Sequence, residues 1–271
     1  DEYQVLLNPM PVEDIRVQDL FELGMLAYWL REPGSASLAP LSAKGIGLLP
    51  SADHDANILS GLLARRLIRI SINSSPDYWW VEADTKTVRY TPDAVSWVPS
   101  IEIGGESDPI KVLDLIPNTV RCAVNKADPL ELVEIWKTCA ISEAMWFWIR
   151  MSEKAGLGKQ ADTGAVLDGL REALDKLSLR QCLGAIRDIF DRCAQNVEYQ
   201  MDPVKEFESK IKSGGLDNQS FSRGICEPYL RNSHGVRYFH SVFLPIGENV
   251  YEDEPPSKNR VEQAQKALNS G

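Results

Sequence analysis

Two arginines, two histidines and a tyrosine fall within ten residues, Arg231-Asn232-Ser233-His234-Gly235-Val236-Arg237-Tyr238-Phe239-His240. Imidazoles that exchange protons near neutral pH, beside guanidiniums that steady a phosphate-like charge, are the groups an RNA or phosphoester hydrolase would need. Arg231, His234, Arg237 and His240 are therefore the candidate catalytic residues. The plain alternative is a polar loop whose histidines satisfy local hydrogen bonds. Were 236–246 a strand, Arg237 would face one side and Tyr238 and His240 the other, dividing the cluster.

Other chemistry is sparse. His54 lies between Asp53 and Asp55 at a helix start, where acids simply complement the dipole and no further ligand spacing follows. The five cysteines, Cys122, Cys139, Cys182, Cys193 and Cys226, form no C-x-x-C pair. Gly156-Leu157-Gly158-Lys159 lacks the Walker spacing and reads as a helix stop, and there is no Gly-x-Ser-x-Gly elbow. Neither a metal site nor a cofactor is expected.

Binding chemistry is easier to place. Arg65, Arg66, Arg69, Lys86 and Arg89 gather around a helix end and a hairpin, a pattern that could meet phosphates. Arginines at a helix C-terminus also complement its dipole, with no ligand at all. Trp79 and Trp80 are adjacent on an expected strand, so they point to opposite faces. One enters the core, and the other is free to anchor a partner.

The elements that must carry these residues run in close succession. Ser51 opens a helix whose apolar stripe includes Ile58, Leu59, Leu62, Leu63 and Leu67. Ile68, Ile70 and Ile72 then alternate with polar residues as a strand with one buried face. Strands at 78–83 and 87–90 flank a turn at Asp84-Thr85-Lys86. Upstream, 14–31 reads as a helix with Val17, Leu20, Phe21, Gly24, Met25 and Tyr28 inward, and 38–49 as a short second helix. Three helices followed by a small sheet suggest a winged-helix-like α+β domain over 1–104.

Gly104-Gly105-Glu106-Ser107 is read as a linker, and 105–271 as a C-terminal helical bundle. Asp108-Pro109, Asp128-Pro129 and Asp202-Pro203 each set an acidic cap before a helix. Asp128 with Glu131 and Ser178 with Gln181 have capping-box spacing. The helix from Pro129 gathers Trp136, Trp146 and Trp148, which are assigned to the core. Residues 216–258 form an irregular excursion whose one ordered piece is the strand at 236–246.

Net charge is −10 over 271 residues, and residues 1–118 carry −8 of it. The part that most resembles a nucleic-acid reader is thus the more acidic one, although 65–89 keeps a local surplus of +2. No apolar run is long enough for a membrane span, Asp1-Glu2-Tyr3 does not open like a secretory leader, and unpaired cysteines suit a reducing, cytoplasmic setting. The leading expectation is a non-enzymatic protein-docking module that uses the aromatic hairpin. A nucleic-acid-binding winged helix is the alternative, and a hydrolase using Arg231–His240 the second alternative.

Overall fold

The computed structural model describes residues 8–44, 52–85, 87–156, 163–175, 177–195, 202–212 and 234–243, together with 262 and 266. These residues are mainly helical with a small sheet part, and they belong to two compact units, 1–127 and 128–271. Among them, no helix is long and apolar enough to cross a membrane.

The first unit begins with a short strand, β1 (Met10–Pro11), and a helix, α1 (Val17–Leu30). Leu20, Leu23, Ala27 and Leu30 give α1 one continuous buried stripe. Tyr28 lies off that stripe and is 58% exposed, against the expectation that it faces inward. A single turn, α2 (Leu41–Lys44), precedes α3 (Ala52–Ala64). After α3 the chain enters β2 (Ile68–Ile70), then a hairpin of β3 (Trp79–Val81) and β4 (Val88–Tyr90), and returns as β5 (Trp97–Pro99).

The wholly buried Trp97 organises this small sheet. Ile70 pairs with it from β2, and Leu38 bridges to it antiparallel on the other side. Leu38 and Trp97 exchange backbone hydrogen bonds of 2.7 and 3.2 Å. β2 stops at Ile70 because a turn, closed from Ser74 N–H to the Ser71 carbonyl at 3.0 Å, follows at once. Ile72 is consequently 69% exposed instead of continuing the inward alternation.

The expected linker at Gly104-Gly105 is a tight turn. Ile103 and Glu106 exchange backbone hydrogen bonds at 3.0 and 3.1 Å, and both glycines take positive φ, 60° and 83°. Two successive left-handed residues favour glycine because a Cβ would crowd the backbone. The turn follows β6 (Ile101–Glu102), which pairs in parallel with β1, and it leads into α4 (Pro109–Lys126). Asp108 caps α4 by accepting from Ile110 and Lys111 N–H, and Glu106 holds Lys111 at 2.9 Å.

α4 packs on α1 and β5, so the first unit extends through Ala127, past the boundary expected at 104. Pro117 sits inside α4 and has no N–H to give the Leu113 carbonyl one turn back. Arg31, just after α1, donates to that carbonyl at 3.2 Å and pairs with Asp114. One side chain thus repairs the proline defect and joins the two helices.

In the second unit, α5 (Pro129–Lys154) contacts α6 (Thr163–Leu174), α7 (Leu179–Gln195) and α9 (His234–Phe243). α8 (Pro203–Lys212) packs on α6 and α7. Trp136 and Trp148 are fully buried, and Trp148 meets the rings of Phe190 and Phe207 at 4.9 and 5.3 Å. Trp146 is only half-buried and lies under the Arg150 guanidinium at 5.4 Å, which corrects its assignment to the core. The Ser178–Gln181 capping box forms in both directions, Ser178 N–H to Oε1 at 2.9 Å and Gln181 N–H to Oγ at 3.1 Å. Asp128 accepts from Leu130 N–H at 2.7 Å.

Candidate functional site

The hairpin is built so that its two tryptophans part company. Trp79 stands opposite Tyr90, Trp80 opposite Arg89 and Val81 opposite Val88. Directly opposed residues share a face, so Trp79 and Tyr90 lie on one side and Trp80 and Arg89 on the other. The Trp79 side is the packed one. Its indole N–H donates to the Ser74 carbonyl at 3.3 Å, and the Tyr90 ring meets Trp97 edge-on at 5.7 Å. Burial also holds the Tyr90 phenol above its ordinary pKa.

The other side carries Trp80, 54% exposed. Tyr78 and Val81 are exposed beside it in sequence, as is Ile72 in the preceding turn. Sequence alternation located the outward tryptophan without saying which of the pair it was. Tyr78, Val81 and Ile72 were missed as surface residues. The cluster Asn73-Ser74-Ser75-Pro76 was the available signal that Ile72 had left the strand.

Two of the five basic residues, Arg65 and Arg89, are committed within the protein. Arg65 reaches back to α1, where its Nη2 lies 3.0 Å from Asp19 and 3.5 Å from Glu22. Asp19, with a side chain only 4% exposed, also takes a two-pronged contact from Arg16 at 2.8 and 2.9 Å. Burial is the largest influence on Glu22 and raises its pKa, outweighing the lowering effect of the Gln18 amide and of Arg65. Arg89 pairs with Glu82 at 2.9 Å on the exposed hairpin face; Glu82 is held below its ordinary pKa first by Arg89 and then by the Thr85 hydroxyl.

Arg66 is exposed and adopts a left-handed φ of 63° where α3 ends. Its N–H donates to Leu63 and that of Leu67 to Leu62, both at 2.9 Å, the paired closure that usually recruits glycine at this position. Arg69 is half-buried on β2. Lys86 lies outside the described residues.

The histidine-arginine segment changes character. His234–Phe243 is helical, where a loop followed by a strand was expected. Gly235, Tyr238 and Phe239 are buried and Arg237 and Ser241 exposed, a helical stripe that packs α9 on α5. Arg231 lies outside the described residues, as do the side chains of His54, His234 and His240. Among the described residues, no group of three or more His, Cys, Asp or Glu could hold a metal ion. Cys139, Cys182 and Cys193 are buried and outside any disulfide, with burial pushing Cys182 up to about 12, while Cys122 is exposed on α4. Cys226 lies outside the described residues.

No protein-family model, no curated protein and no solved structure matches this chain.

Proposed function

We propose that the chain is a non-enzymatic protein-docking module whose first unit is winged-helix-like and whose β3–β4 hairpin anchors the partner through Trp80. One observation carries the reading. Trp80 projects outward on the hairpin while two basic residues expected to meet phosphate, Arg65 and Arg89, are held by Asp19, Glu22 and Glu82. Exposed tryptophan is among the side chains that contribute most when an interface closes over them. Phosphate recognition, by contrast, needs uncommitted cations. The winged-helix reading draws support from the order α1, Leu38, α2, α3, β2, hairpin, β5, with Leu38 and Ile70 flanking Trp97. Cysteines buried outside any disulfide favour a reducing, cytoplasmic setting.

Nucleic-acid binding keeps one supporting observation, the exposure of Arg66. The hydrolase reading rests on the Arg231–His240 sequence pattern, with Arg237 exposed on α9.

The test is quantitative capture by the full chain, with Trp80→Ala compared against an Arg66→Glu/Arg69→Glu double variant. Removing Trp80 is expected to weaken capture of a specific protein by about tenfold or more, with the arginine variant near wild type. Salt-sensitive binding of labelled DNA or RNA that only the arginine variant loses would reject the proposal.

A further inference from the structure

The hairpin exposes main chain as well as side chains. Glu82 N–H donates to the Thr87 carbonyl at 2.9 Å, and Thr91 N–H to the Tyr78 carbonyl at 2.8 Å. Since hydrogen-bonded pairs alternate along an antiparallel ladder, Trp80–Arg89 is the bonded pair between them. The N–H and carbonyl groups of Trp79 and Val81 therefore point away from β4. Among the described residues, β3 and β4 form a two-stranded sheet of their own, so that edge has no strand beside it. An open edge bearing exposed apolar side chains is a template for another strand, which proteins that keep such edges unpaired usually blunt with lysine, proline or a bulge. No lysine, proline or bulge interrupts β3; Trp80 and Val81 are exposed along it.

We propose that the β3 edge captures an extended, basic segment of a partner protein, which adds to the hairpin as a third strand. This rests on the docking reading above and names the partner's chemistry. Of the two edges, β3 is favoured because Trp80 and Val81 are exposed, whereas on β4 the Val88 and Tyr90 side chains are half-buried and Tyr90 packs on Trp97. Main-chain bonds to Trp79 and Val81 would supply affinity, and alternate side chains of the segment would lie beside Trp80.

Charge selects the occupant. Asp77, Glu82, Asp84 and Asp93 outnumber Lys86 and Arg89 across the hairpin, within a first unit whose residues 1–118 carry −8. Asp77, Asp84 and Asp93 are exposed, while Glu82 and Arg89 neutralise each other. A second copy of the chain would bring like charge against like charge; a lysine- or arginine-bearing segment is attracted instead.

The experiment pans the full chain against a displayed library of random short peptides and remakes the enriched sequence synthetically. Basic residues alternating with apolar ones are expected, with protection of the Trp79 and Val81 amides from hydrogen exchange when the peptide is bound. Val81→Pro removes an outward N–H while leaving the bonds to β4 in place, and should weaken binding by about tenfold. Methylating alternate peptide amides should do the same against the unaltered protein, which makes the result independent of how the variant folds. Failure to enrich any peptide, or enrichment of acidic ones, overturns the proposal. Binding that ignores Val81→Pro and amide methylation yet is lost in Trp80→Ala overturns edge pairing and leaves side-chain docking intact. Binding indifferent to all of these changes rejects both readings.

Discussion

Glu22 shows how one residue's setting can be separated from its sequence neighbours. Its carboxyl, on α1, is largely buried beside Arg65 at the end of α3, where desolvation raises its pKa despite Gln18 and Arg65. A carboxyl whose folded value lies above its unfolded value binds its proton more tightly in the native state. Native stability is therefore lost as pH rises from the ordinary carboxylate range through the raised value. Glu22→Gln keeps an acceptor for Gln18 and removes the buried charge, so it should raise the melting temperature at neutral pH. For a chain of this size, each kcal/mol gained corresponds to about 2–4 °C. The difference should shrink towards zero below the ordinary carboxylate range, as thermal unfolding across pH would show. A lower melting temperature for the variant at pH 7 would mean that the Arg65 contact outweighs burial. None of this was legible in the sequence, where Arg65 looked like a surface cation. Its partners Glu22 and Asp19 lie 43 and 46 positions away on another helix, and one-dimensional spacing does not show such a pairing.

The secondary elements repeat that contrast between local and distant causes. Features decided within one turn of chain were legible: the Ser178–Gln181 box and the aspartate caps before prolines. Gly104-Gly105 was misread because a flexible linker and a tight turn draw on the same residue; pairing of Ile103 with Glu106 distinguishes them. Residues 236–243 were misread because a short aromatic run supports either period, and packing on α5 selects the helix. Arg31 and Pro117 provide the test at this scale. Removing Arg31 as Arg31→Met should cost about 1–2 kcal/mol, because the Leu113 carbonyl loses its donor. In a Pro117→Ala background the restored N–H can bond that carbonyl, so the same change should cost measurably less. A double-mutant cycle by denaturant unfolding reads the coupling; additive costs would show that Arg31 acts through Asp114 alone.

Across the whole molecule, charge and aromatic exposure point the same way. The chain is acidic overall, and among the hairpin and helix-end cations Arg65 and Arg89 are internally paired. The outward hairpin face keeps an exposed tryptophan. Acidity was legible from composition alone, but the commitment of those arginines required three dimensions. The most direct measurement places a photo-crosslinking benzoylphenylalanine at position 80 of the full chain in cells and identifies what becomes attached. Covalent capture of a protein through a lysine- or arginine-bearing extended segment is expected, with no such product when the probe stands at exposed Leu130 in the second unit. Attachment of nucleic acid at position 80, or the same products from both positions, would contradict it.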